Sequence, residues 1–108
     1  MEAFSKKIIK HNLSLPYIPD YATNNAHMFY LAFDNINDRT RLINHLKKHD
    51  ILAVFHYISL HNSPYYKDKH DGRALLQTDI YTKCLLRFPL FYELDPSKVI
   101  DALQSYNF

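Results

Sequence analysis

Between residues 27 and 57 the apolar residues change their spacing twice, and few folds accommodate such a pattern. HMFYLAF at 27–33 is short and aromatic-rich, bounded by Asn24-Asn25 and Asp34-Asn35, and reads as a strand. Leu42, Ile43 and Leu46 then recur at helical spacing. Arg39, Arg41, Lys47 and Lys48 fall on the opposite, exposed side, and Asn37 or Asp38 is placed to cap this helix, which runs to about Lys48. ILAVFHY at 51–57 returns to a short apolar run, a second and buried strand carrying Ile51, Leu52, Val54 and Phe55. Strand, helix and strand in so short a stretch are compatible with a crossover unit, and equally with a helix lying beside antiparallel strands.

The remaining segments supply further layers. Residues 1–12 read as a helix, with Ala3, Phe4, Ile8 and Ile9 near a 3.6 period. Residues 13–25 cannot continue it, because Pro16 and Pro19 disfavour helix at the residues before them; they form an extended connector of the kind that often joins two domains. A long polar loop occupies 62–77. Thr78 and Asp79 then open a helix whose buried face is Ile80, Tyr81, Cys84, Leu85 and Phe88, and Pro89 limits it. Residues 89–92 (PLFY) read as a short third strand. Asp95-Pro96 begins the last helix, with Val99, Ile100, Leu103 and Tyr106 inward. The expected fold is α+β, an α/β sandwich: a small sheet of about three strands with helices packed on it.

Composition narrows the function. The 108 residues suit one domain, and the net charge of +2 comes from interspersed basic and acidic residues, without the basic face expected of a nucleic-acid binder. Cys84 is the only cysteine, so no internal disulfide and no cysteine-based zinc site can form, and its apolar setting marks it as a small buried hydrophobe. No apolar run approaches the roughly 18 residues of a membrane span. The N-terminus lacks the apolar core of a signal peptide, which implies a cytoplasmic setting. Gly72 is the only glycine, which excludes the glycine-rich phosphate loops of P-loop and dinucleotide-binding proteins.

The polar chemistry concentrates after the second strand, where His56, Tyr57, His61, Pro64, Tyr65 and Tyr66 follow one another. Imidazoles and phenols at a strand end can contact a polar ligand while their ring bodies pack on the core, or can simply cover a sheet edge. His45 and His49 have the spacing of two metal ligands on a helix, but they lie among Asn44, Lys47 and Lys48 on what reads as a wet face with no third ligand; no metal site is expected. Asp68, Asp71 and Asp79 read as solvated surface. Ser59 and Ser63 lack the glycine-bounded elbow of a serine nucleophile. Residue chemistry alone assembles no catalytic site.

NAHMFYLAF, then RTRLINHLKKHDILAVFHYISLHNSPYY, then DIYTKCLLRFPLFYELDPSKVIDAL resemble, in that order, the C-terminal region of sugar-nucleotide aminotransferases. These are pyridoxal-phosphate enzymes of the DegT/DnrJ type with the aspartate-aminotransferase fold. Within that family the likeness is strongest to the dTDP-4-oxo-6-deoxy-D-glucose transaminases, where an N-H-M-F-Y-like strand and an H-Y-x-x-L-H segment recur. The resemblance implies that residues 1–12 end an interdomain helix, 13–25 connect, and 26–108 form the small domain that closes over the active site. The cofactor lysine, its pyridine-nitrogen partner and most phosphate contacts would then belong to a large domain, since none of the nine lysines here has the setting of the aldimine lysine.

The same resemblance implies substrate-binding roles for His56, Tyr57 and His61 near the sugar-nucleotide side of the cleft, with His27 opening the neighbouring strand. It implies pyridoxal 5'-phosphate in a full-length parent and none in this piece, and a partner in the large domain or a second subunit. The parent activity would be amination of a 4-oxo-6-deoxy dTDP-sugar by glutamate for surface polysaccharide or lipopolysaccharide synthesis. The piece alone, whether engineered or a truncated gene product, would be inactive. The alternative is a stand-alone nucleotide-sugar-binding or protein-interaction module that reuses the small domain. Asp50 departs from the family pattern, which has glycine where the first helix ends, and this implies a differently closed turn.

Overall fold

The last strand in the chain occupies the middle of the sheet. In the computed structural model, which describes residues 13–108, strands β1 (Tyr30–Ala32), β2 (Val54–Phe55) and β3 (Leu85–Arg87) are ordered β1-β3-β2, and both pairings are antiparallel. β1 and β2 therefore run parallel to each other with β3 inserted between them, and helix α1 (Ile36–Lys48) joins them as a split crossover. The helix expected over 1–12 lies outside the described residues.

The third strand thus falls at Leu85–Arg87 and not at 89–92, and helix α2 (Leu76–Cys84) starts two residues earlier and stops four residues sooner than its apolar pattern suggests. Pro89 disfavours helix at Phe88. Leu85 is already extended, at φ −89° and ψ 134°. The pairing also reaches beyond the ladder, since Phe33 N–H donates to Cys84 O (2.9 Å) and Phe88 N–H donates to Phe29 O (3.0 Å). Leu85 and Phe88, read as helix stripe, are instead buried from the strand and its exit, and Ile80 and Tyr81 are exposed.

One sheet face carries the core. Leu31 and Leu86 are opposed across β1 and β3 and are wholly buried, as are Leu42 and Leu46 from α1. Ala102 and Leu103 of α3 (Ser97–Gln104), with Tyr106 beyond it, complete the packing. β2 is an edge strand rather than the buried run expected: Ile51 and Ala53 reach the core, whereas Leu52 is 77% exposed and Phe55 58%. The opposite edge, β1, is covered by the connector, where Ser14 and Ala32 exchange two backbone hydrogen bonds of 2.9 Å. β1 is also shorter than 27–33. Ala26 takes a positive φ of 53° with its N–H bonded to Asn24 Oδ1 (2.9 Å), and that turn keeps His27 and Met28 out of the ladder.

Local chemistry fixes the helix ends. Asn35, not Asn37 or Asp38, caps α1: its Oδ1 accepts from Asp38 N–H (2.9 Å) and its Nδ2 donates to Asp38 Oδ2 (2.7 Å), a reciprocal arrangement like a capping box. At the other end Asp50 has φ 58°, Asp50 N–H donates to Lys47 O (3.1 Å) and Ile51 N–H donates to Leu46 O (3.0 Å). This is a Schellman closure with buried Ile51 meeting Leu46, so the turn closes as glycine would close it, with an aspartate held in the left-handed region. Asp50→Gly is therefore expected to stabilise the fold by about 1 kcal/mol, read as a higher urea midpoint; an unchanged or lower midpoint would contradict this account of the turn.

At α3, Pro96 already has helical φ and ψ, and Asp95 Oδ1 accepts from Ser97 N–H (3.0 Å). That backbone bond, followed by one from the Ser97 side chain, holds the exposed Asp95 carboxyl below its ordinary value. A lowered carboxyl stabilises the fold above the ordinary carboxyl range and ceases to do so as pH falls through the lowered value. Wild type is thus expected to exceed Asp95→Ala in urea midpoint near neutral pH, and the two are expected to converge in acid.

Arg39, read as an exposed face residue, is buried instead; its Nη1 donates to Thr82 O (3.4 Å) and its guanidinium carbon lies 5.7 Å from the Phe55 ring centroid.

Candidate substrate groove

β2 ends after two residues, and the chain that leaves it runs beside α2 before a single 3-10 turn at Leu60–Asn62. Between these two segments lies a groove of about 400 Å³, with His56, Tyr57 and Ser59 on one wall and Thr78, Tyr81 and Thr82 on the other. The walls offer hydroxyls, phenols and one imidazole, a set suited to hydrogen bonding of a polar ligand with aromatic surface for its apolar faces. Tyr57 is exposed, with its ring centroid 5.1 Å from that of His56 and 5.8 Å from the Arg87 guanidinium carbon on β3. Among the described residues His56 Nδ1 is buried without a hydrogen-bond partner, as is Arg39 Nε away from the groove.

His61 is turned differently. Its Nε2 lies 2.7 Å from Asp79 Oδ1 on the first turn of α2, and its ring lies 5.4 Å from that of His70, whose Nε2 donates to Arg73 O (2.9 Å). Asp79 is therefore not the solvated carboxylate its neighbours suggest. His61 supplies its hydrogen-bond donor from the segment after β2. His27 is exposed, bonded to Asn25 Oδ1 at 2.8 Å, and lines a separate hollow of about 330 Å³ under Leu15, Pro16 and Ile18. Of the four sequence candidates, His56 and Tyr57 share the groove, His61 braces its wall, and His27 stands apart.

The wet-face reading of α1 holds for His49 but not for His45. His45 is half-buried, with Nε2 donating to Ala102 O (2.8 Å) and its ring 5.0 Å from Tyr106. Thr78, Tyr81 and Thr82 were not visible as groove residues, because the sequence places Tyr81 on a buried stripe. Asp79 reads as solvated surface in the sequence, and nothing local points to His61, eighteen residues away.

Among the described residues no group of three metal-ligating side chains is suitably placed, and no helix is long and apolar enough to cross a membrane. A Schiff-base lysine needs shelter that lowers its pKa. Lys47, Lys48, Lys67, Lys69, Lys83 and Lys98 are all exposed and none lines the groove or the hollow beside His27, so the described lysines do not fit a pyridoxal-phosphate aldimine.

The small antiparallel sheet and its helices superpose on parts of solved aminotransferases. The aminotransferase TlmJ from Streptoalloteichus hindustanus superposes with a TM-score of 0.74 at 19% identity, over 95% of this chain and 28% of its own. DesV from S. venezuelae, solved in complex with a ketimine intermediate, gives 0.72 at 19%, over 95% and 29%. NtdA from Bacillus subtilis, solved with bound cofactor PMP, gives 0.76 at 19%, over 95% and 25%. The chain thus spans little more than a quarter of these proteins' length. Residues 4–105 match the DegT/DnrJ/EryC1/StrS aminotransferase family, and the chain belongs to it.

Proposed function

We propose that this chain is the small-domain portion of a cytoplasmic pyridoxal-phosphate aminotransferase that aminates a 4-oxo-6-deoxy dTDP-sugar, with glutamate as donor, for surface polysaccharide synthesis. The family match over 4–105 carries the reading. The dTDP-sugar rests on the HMFY strand and the HYISLH segment. Bound pyridoxal phosphate supplies the electron sink for amino transfer, and the lysine that holds it belongs to a large domain. In this chain His56 and Tyr57 orient the sugar nucleotide, and His61 keeps the wall behind them in place. His27 is left out, because it opens onto a different hollow.

Apolar surface supports a docked neighbour over a stand-alone module. Leu76, Ile80 and Tyr81 of α2 are 69%, 50% and 46% exposed, and Ile58 and Leu60 beside them 63% and 66%, a concentration suited to covering by the large domain or a second subunit.

Incubation with pyridoxal phosphate, borohydride reduction and peptide mass mapping tests the assignment of the lysine. The expected result is no stoichiometric adduct at any one lysine of this chain. A stoichiometric adduct at a single lysine would show that the chain carries its own cofactor site.

A further inference from the structure

Ser59 lines the groove and is only 6% exposed, yet its hydroxyl proton has no acceptor among the described residues. The reason lies in the donors around it. A 2.7 Å approach of His61 Nε2 to Asp79 Oδ1 requires a proton between them, so Nε2 carries the hydrogen and donates it to the carboxylate. Asn62 Nδ2 lies 3.2 Å from the same Oδ1 and 2.9 Å from Ser59 Oγ. Reversing this amide would set its oxygen against the carboxylate, so the amide nitrogen faces Asp79. Its two hydrogens are then both used, one on Asp79 and one on Ser59. Ser59 Oγ must accept, and its own proton is left to donate elsewhere.

We propose that Ser59 is a ligand-orienting hydrogen-bond donor of the groove, and that Asp79 is its positioning residue, acting through Asn62 and locked by His61. The group it addresses is an acceptor oxygen of the ligand, a sugar oxygen or a phosphoryl oxygen. Identification of that ligand as a sugar nucleotide rests on the proposed function. The network also joins the two walls: Ser59, His61 and Asn62 belong to the segment after β2, and Asp79 belongs to α2.

Calorimetric titration of the folded chain with dTDP-glucose tests this, alongside Ser59→Ala, Ser59→Thr, Asp79→Asn and the Ser59→Ala/Asp79→Asn double variant. Loss of one buried donor to a ligand oxygen is expected to weaken binding about ten-fold in Ser59→Ala, and the retained hydroxyl of Ser59→Thr to restore most of it. Asp79→Asn is expected to weaken binding as well, with the double variant no worse than Ser59→Ala, since both act through one hydroxyl. Wild-type binding that Ser59→Ala leaves within two-fold would overturn the donor while the sugar-nucleotide reading stands. Fully additive losses would overturn the positioning role of Asp79. Absence of wild-type binding would bring down the sugar-nucleotide reading and this inference with it.

Discussion

Leu86→Ala is expected to cost about 3–4 kcal/mol. Leu86 is wholly buried in the central strand, opposite Leu31 on β1 and Phe55 on β2. A methylene-sized void at an edge can close by small movements. Here both neighbours are pinned by backbone pairing, and Leu42 and Leu46 close the third side, so the cavity stays open. A domain of this size has only about 5–15 kcal/mol in total, so the urea midpoint should fall by a large fraction of its value. Leu52→Ala, at a residue that is 77% exposed, is expected to stay within about 0.5 kcal/mol of wild type. A cost below about 1 kcal/mol at Leu86 would mean that β3 is not the centre of the sheet.

The second large effect concerns ligand rather than fold. His56→Ala and Tyr57→Ala are each expected to weaken dTDP-glucose binding about ten-fold, the loss of one hydrogen bond or one aromatic contact at a groove wall. Neither is expected to destabilise the chain appreciably. Tyr57 is mostly exposed, and among the described residues the buried Nδ1 of His56 has no partner whose bond would be lost. Separation of these two readouts is what distinguishes a binding residue from a core residue. A fall in urea midpoint without a change in affinity would place both rings in the structural class.

Legibility in the sequence followed the strength of the local signal. The stripe of Leu42 and Leu46 and the Asp95-Pro96 helix start are set by periodicity and capping chemistry within a few residues, and both appear where expected. β3 was misplaced because Leu85 and Phe88 fit a helical stripe equally well; the pairing with β1, more than fifty residues earlier, decides their state. Leu52 and Phe55 looked buried since a short apolar run carries no mark of an edge strand. Asp50 shows the converse. Its left-handed φ is invisible in an aspartate, although the closure it makes is the one glycine would make. The groove was half legible. Its polar-aromatic wall is continuous in sequence from His56 to Ser59, but the facing wall comes from α2, and the link from Asp79 to His61 and Asn62 exists only once the helix is packed beside that segment.

The central claim is that this groove receives a sugar nucleotide, and amide-resolved NMR titration of the isotope-labelled chain with dTDP-glucose tests it most directly. The expected result is saturable shifts at the amides of His56, Tyr57 and Ser59 and at Thr78, Tyr81 and Thr82, with the hollow around His27 silent. A folded chain whose groove amides do not move, or that responds only around His27, would contradict it.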